Sequence, residues 1–326
     1  MRPTRGAEMR TVVYGLCASL MLVQGVEAAD LFTENAAELL RTDTFSGEVF
    51  TGYLHSRVRE YVKNPDTGAR ISQLNWNSHA AVVGGRLAFQ PLDWLAFRAR
   101  GWAAVASGAD MRDYDWLYGY RGQDSWSHYS HSPNTQTPKA WQIDVSAAAT
   151  FYDEDDTKLY AIAGYRALTL KSNARGGSYI YSGQGFRDQY GTFPDDKLGI
   201  AYQQWWHTPY LGIGGSYAFD DWSVSAEVIG SPFSIGYDKD HHNLRSLVFK
   251  EDFGTTGMYG ANASFEYRFS PLLSAVGRLE YQRYMEAYGS TKIYSGATGT
   301  VTTLPAPSGG GSADTLLLSV GIKARM

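Results

Sequence analysis

Along much of the chain, apolar residues recur at every second position. Trp141, Ile143, Val145, Ala147, Ala149 and Phe151 form one apolar file, interleaved with Gln142, Asp144, Ser146 and Thr150. Ala261, Ala263, Phe265, Tyr267 and Phe269 alternate in the same way with Asn262, Ser264, Glu266 and Arg268. Leu95, Phe97 and Ala99 alternate with Arg98 and Arg100, and Trp222, Val224, Ala226 and Val228 with Ser223, Ser225 and Glu227. A period of two predicts strands whose faces meet different surroundings. A water-soluble sandwich alternates too, so the pattern alone leaves the solvent open.

The spacing of the breaks narrows the choice. Tight connections at Gln90–Asp93, Asp153–Asp156, Asp220–Asp221 and Ser270–Pro271 alternate with long polar stretches near 61–70, 108–138, 172–197, 238–254 and 288–313. Short turns at one rim and long loops at the other are the arrangement of an outer-membrane barrel. Four turns and five loops predict about ten antiparallel strands with both termini at the periplasmic rim. The last segment alternates through Leu316, Leu318, Val320, Ile322, Ala324 and Met326, as a closing strand should. Aromatic residues make up 14% of the chain, including 23 tyrosines, and many fall near predicted strand ends, where an interfacial girdle would lie. The predicted fold is an all-β antiparallel transmembrane barrel.

The first 28 residues read as a secretory leader. Arg2, Arg5 and Arg10 precede an apolar stretch from Thr11 to Val26, and Val26-Glu27-Ala28 suits cleavage. Residues 29–326 are then a single barrel domain. Three basic and two acidic residues go with the leader, leaving 26 against 31, an acidic balance that argues against general nucleic-acid binding. The one cysteine, Cys17, goes as well, so no disulfide is expected. Beyond the leader there is no apolar run of the roughly 18 residues that a spanning helix needs. A membrane-embedded chain must therefore close as a barrel.

Reactive side chains gather in the predicted loops. Asp113 and Asp115 stand at i and i+2, and share one face of an extended backbone; Asp240 and His242 have the same spacing. An acid can orient a histidine, the histidine can take a proton from water, and facing carboxylates can hold that water. Histidine suits the task because its ordinary pKa, about 6.5, lies near working pH. Asp and His are also common as solvated loop residues. A metal site at Asp240, His241 and His242 is the less apt reading, because adjacent side chains of an extended segment point to opposite sides.

At these residues the sequence resembles the omptins, outer-membrane proteases built on a ten-stranded barrel. Ser72-Gln73-Leu74-Asn75-Trp76 is similar to that family's Ser-Gln-Leu-Asp-Trp, and Asp113-Tyr114-Asp115-Trp116 to its Asp-x-Asp-Trp. The run from Ala174 to Ser182, followed by Gly185-Phe186-Arg187-Asp188, is the most specific block, and Asp238-x-Asp240-x-His242 completes the set. The resemblance implies an endopeptidase in the outer membrane of a Gram-negative cell, its site facing the exterior. Asp240 and His242 would be a dyad, and Asp113 and Asp115 a facing couple, around an attacking water. Glu60 and Asp238 would hold the basic side chain before the cut. Protein or peptide substrates with basic residues are implied, with no metal or cofactor but a dependence on lipopolysaccharide.

Several positions depart from the family's pattern. His128 stands where an acid would attract a basic side chain after the cut, and Asn243 follows His242 where tyrosine is usual. Of the family's lipopolysaccharide contacts only Tyr165 is kept, since Ala167, Thr169 and Trp205 replace the charged ones, leaving Arg166 and Lys171 as nearby bases for lipid phosphates. Two other readings stay open from the residues alone: a non-catalytic barrel acting as an adhesin or structural protein, and a barrel hydrolase using Ser130 near His128 and His131 as nucleophile and base.

Overall fold

Over the middle of the long strands the side chains on one face are largely apolar and exposed, while those on the other are buried and include many polar groups. In the last strand Leu316, Leu318, Val320 and Ile322 are 41–61% exposed, whereas Ser319 between them is 2% exposed. That is the reverse of a water-soluble sheet, and it places lipid outside and a polar lumen within. The computed structural model describes residues 44–117 and 125–326. The expected leader, 1–28, lies outside the described residues.

The strands are β1 (Phe45–Lys63), β2 (Arg70–Leu92), β3 (Leu95–Asp115), β4 (His128–Glu154), β5 (Thr157–Arg175), β6 (Ser178–Tyr181), β7 (Gln189–Thr192), β8 (Leu198–Phe219), β9 (Trp222–His242), β10 (Leu247–Arg268), β11 (Leu273–Ser295) and β12 (Val301–Arg325). All pairings among them are antiparallel. Ten close the ring in the order β1-β2-β3-β4-β5-β8-β9-β10-β11-β12, with β12 returning to β1. Ser46 opposite Arg325 and Val62 opposite Gly309 mark the two ends of that seam. The count of about ten holds for the ring, and the short β6–β7 hairpin, beside β4, is the addition.

The tight turns lie where the sequence predicts them. Asp155 and Asp156 both adopt positive φ, 48° and 63°, as a two-residue turn matched to strand twist requires. The opposite rim differs from expectation. Most of the stretches read as long loops are strand: β1 runs to Lys63, β3 to Asp115, β9 to His242 and β11 to Ser295. Their polar composition reflects strands that rise beyond the lipid, where both faces meet water or polar partners. Arg57 and Arg59, outward on β1 above Val49 and Tyr53, mark that change of surroundings. Facing aromatic pairs mark the interfacial levels: Phe45 on Phe89 and Trp222 on Phe265 and Tyr267 below, Trp205 and His207 on Tyr237 above.

Inside, ion pairs join neighbouring strands and link others that are not adjacent in the ring. Glu48 pairs with Arg86 and with Arg278 (3.0 Å), Glu280 with Arg86 (2.5 Å) and Arg100, and Asp144 with Arg166 (2.7 Å). The buried Arg166 also donates to Gln282. It therefore faces the lumen, which corrects the expectation that it could contact lipid phosphates.

Glu280 serves two guanidinium groups at once, so removing it strands Arg100 and leaves Arg86 with Glu48 alone. Glu280→Ala is expected to lower the stability of the refolded barrel by about 3–5 kcal/mol, read as a lower urea midpoint for loss of heat-modifiable mobility, with Glu280→Gln intermediate. An unchanged midpoint for the alanine variant would show that lumen water replaces the carboxylate.

Candidate active site

The alternation that builds the barrel continues above the lipid and sorts the reactive residues by face. On β9, Asp238 and Asp240 point inward and are buried, at 3% and 0% exposure, while Lys239 and His241 alternate with them on the outer face. His242 ends the strand, and the chain turns through a short 3-10 segment, Asn243–Arg245, into β10. The adjacent histidines are thus split between faces, as the sequence implies, and do not form a chelating pair.

His242 Nε2 lies 2.5 Å from Asp240 Oδ2. It is an ion-pair approach: neither Asp240 oxygen has a partner of hydrogen-bond geometry among the described residues. Nδ1 of His242 accepts a hydrogen bond from Arg245. The ring meets Phe249 of β10 edge-on at 5.1 Å, so an aromatic on the neighbouring strand packs the histidine, while Asn243 donates to the carbonyls of Gly199 and His241.

Across the lumen, β3 presents Asp113 and Asp115 on its inner face. Ser72 of β2 donates to Asp113 Oδ1 at 3.2 Å and is paired in register with Asp115. Burial pushes the Asp113 carboxyl well above the ordinary carboxylate range, its neighbour Asp115 raises it further, and Ser72 and Arg245 pull the other way. Asp115 is raised as well, chiefly by burial, against the pull of Ser72, His128, Arg245 and His242. Asp240 acts on the charge of Asp113 and His242 on that of Asp115, so the two pairs lie within electrostatic reach of each other.

Beside these pairs lies a second group of acids. Glu60 of β1 is buried, and its pKa is raised well above the usual value by burial and then by Asp240, Asp238, Glu251 and Asp113. Asp238 accepts a hydrogen bond from Tyr202 at 2.8 Å, and Tyr202 stacks on Trp76 with ring centroids 5.4 Å apart. Glu60 and Asp238 thus converge, as the resemblance implies, with apolar walls about them. Glu251, on β10 in register with Asp238, joins them. Sequence reading missed Glu251 and Arg245. Hairpin register would have found Glu251, but the length of the turn after His242 is not written in the sequence.

The motif block from Ala174 to Asp188 serves the fold. Gly177 has φ of 104°, and a Cβ there would come within 2.1 Å of the His131 carbonyl oxygen. Arg187 lies over the Trp126 ring at 3.3 Å and donates twice to the Trp126 carbonyl, bracing the β6–β7 hairpin. For the serine-nucleophile reading the geometry is poor. Ser130 is buried, His131 is on the opposite strand face with Asp110 at 2.9 Å, and Nδ1 of His128 is bonded to Ser127 at 3.0 Å.

Known proteins resemble this chain along most of its length. The family model for the omptin family matches residues 41–326. The plasminogen activator of Yersinia pestis is 28% identical over 285 residues, covering 87% of this chain and 90% of the relative. The outer membrane protease OmpP of Escherichia coli is 30% identical over 271 residues, covering 82% and 85%. The crystal structure of the outer membrane protease OmpT from Escherichia coli superposes with a TM-score of 0.81 at 25% identity, covering 87% of this chain and 97% of that one. With the ten-stranded ring and the match along nearly the whole described chain, this protein belongs to the omptin family and is an outer-membrane protease.

Proposed function

We propose that the chain cleaves peptide bonds after basic residues, using a water activated between Asp240–His242 and Asp113–Asp115. The observation that carries this is the approach of His242 to Asp240 on the inner face of β9, with the Asp113–Asp115 pair facing it from β3. Asp240 at Nε2 leaves Nδ1 as the nitrogen that takes the water proton. The resulting hydroxide attacks the scissile carbonyl carbon, and the histidine then delivers the proton to the departing amine. Asp113 and Asp115 accept a hydrogen bond from the other O–H of the water, which stays on the oxygen, and fix its position. Arg245, which donates to Nδ1, is exposed and yields that nitrogen to the water.

Selectivity before the cut follows from charge. Glu60 and Asp238 are buried acids, each with an oxygen that lacks a hydrogen-bond partner. A basic side chain supplies both the charge and the donors, each charge-assisted bond contributing about 1.5–3 kcal/mol. After the cut, His128 stands close enough to Asp115 to act on its charge. An imidazole there offers no anionic partner to Arg or Lys and so favours small or apolar residues.

Lipopolysaccharide dependence is proposed to be weak. Tyr165 is engaged with His207 at 2.6 Å, Trp205 is stacked on Tyr237, and Arg166 faces the lumen, so of the positions singled out in the sequence only Lys171 remains to meet a lipid phosphate. Activity of the refolded barrel should change only modestly on adding lipopolysaccharide. An absolute requirement, abolished by Tyr165→Phe, would contradict this.

Asp113→Ala, Asp115→Ala, Asp240→Ala and His242→Ala are each expected to lose at least a hundredfold in kcat/KM on a Lys- or Arg-containing peptide while still forming a heat-modifiable barrel, whereas His241→Ala should retain most activity. Essential His241 with dispensable His242 would overturn the assignment. Chelators should leave activity intact, and zinc-restorable loss would overturn the metal-free reading.

The acid limb of the pH profile carries a further expectation. Carboxyls whose pKa values are raised take up protons sooner as the pH falls, so activity should decline well above the range of an exposed aspartate, about 3.9. Arg245 favours the ionised forms of both Asp113 and Asp115, so Arg245→Ala should move that limb to higher pH. A limb unmoved by Arg245→Ala would show that this pair does not set it.

A further inference from the structure

Glu251 has no part in the water-activating step, yet it is among the most buried acids of the chain, at 2% exposure. It stands in register with Asp238 across the β9–β10 pair. One oxygen, Oε1, accepts a hydrogen bond from Thr291 at 3.2 Å, and Thr291 is itself bonded by Ser308 at 3.1 Å. The other oxygen, Oε2, is buried without a hydrogen-bond partner among the described residues, as are Glu60 Oε2 and Asp238 Oδ1. Space for Glu251 comes from β12, where a Cβ on Gly309 would lie 2.3 Å from its carboxylate.

Glu60, Asp238 and Glu251 each offer one oxygen, and the three oxygens lie within 4.8 Å of one another. Three such points share a centre no more than about 2.8 Å away (4.8 Å divided by the square root of three), which is the hydrogen-bond distance of an N–H donor to oxygen. An ammonium has three donors around one nitrogen, so at that centre it satisfies all three acids. A guanidinium is larger. With its carbon at the centre, each nitrogen stands roughly 1.3 Å nearer the acids, as a C–N bond requires, and the contacts become too short. It must stay at the mouth, where its planar fork meets fewer oxygens.

We infer that Glu251 is a specificity-determining residue that completes a three-carboxylate receptor for a primary ammonium, making lysine the favoured side chain before the scissile bond. This rests on the proposed cleavage after basic residues and names which base the pocket is built for. Among the described residues the three acids have no cationic partner, and an incoming ammonium supplies the charge that their burial otherwise leaves unbalanced. Asp238 is two residues from Asp240 on one strand face, so the three acids lie next to the residues of the proposed water-activating site.

The test pairs a kinetic measurement with one that needs no turnover. For the refolded full chain, kcat/KM is measured on matched peptides with Lys or Arg before the cut, in wild type, Glu251→Gln and Gly309→Ala. Wild type should prefer Lys, and Glu251→Gln should lose about tenfold or more on Lys with a smaller loss on Arg. Gly309→Ala, which keeps every acid but crowds Glu251, should lower the Lys-to-Arg ratio in the same direction. Calorimetry on the same proteins should give tighter binding of n-butylammonium than of n-propylguanidinium in wild type, with the difference erased in Glu251→Gln. A wild-type preference for Arg in both assays, or equal losses on both peptides in Glu251→Gln, overturns the inference while leaving cleavage after basic residues intact. Absence of cleavage after any basic residue, with the ammonium still bound preferentially, overturns the proposed function and leaves the receptor standing.

Discussion

Backbone hydrogen bonding inside lipid is the constraint from which the rest of this structure follows. A strand in hydrocarbon has no water to satisfy its N–H and C=O groups, so every strand needs two neighbours and the sheet must close. β12 against β1 accomplishes that closure along nearly the full length of β1. Closure then fixes which way each side chain points, because alternation around a ring leaves only an outside and an inside. The same alternation that puts Leu316 and Leu318 in lipid puts Asp113, Asp115, Asp238, Asp240 and His242 on the inner wall where the strands rise above it.

A closed wall also explains how so much negative charge can be held together. Glu60, Asp113, Asp115, Asp238 and Glu251 sit on four different strands, and their positions are fixed by backbone ladders rather than by favourable contacts with one another. Burial and mutual repulsion raise their pKa values, an energetic cost that the barrel bears. The sign of the linkage is definite. A carboxyl with a raised pKa in the folded state destabilises that state as the pH rises, and a cationic substrate relieves the cost. Affinity for a base and strain without one share a single origin.

Much of this was legible in the sequence because period two is a direct readout of a two-faced wall. The files at 141–151 and 261–269, the turns at Asp155 and Asp220, and the closing strand all appear where the pattern predicts. The family motifs supplied the pairing of Asp113 and Asp115 with Asp240 and His242, which spacing within each motif could not give, since the two lie on strands from opposite sides of the ring. The extracellular extensions were misjudged because polar residues there signal loop only where strands end at the membrane. Arg166 was misplaced because its outward or inward sense depends on a register fixed by its neighbours. Glu251 and Arg245 escaped notice because their meaning comes from a turn geometry, Asn243–Arg245, that carries no sequence signature.

The central claim is that water, not a side chain, attacks the peptide bond. The most direct test is rapid-quench mass spectrometry of the refolded enzyme turning over a Lys-containing peptide, with hydroxylamine present as an alternative acceptor. Attack by water held between Asp240–His242 and Asp113–Asp115 predicts no covalent adduct on the protein at any time and only the free carboxylate as product. An acyl adduct, on Ser130 or any other side chain, with hydroxamate formed in proportion to hydroxylamine, would contradict it.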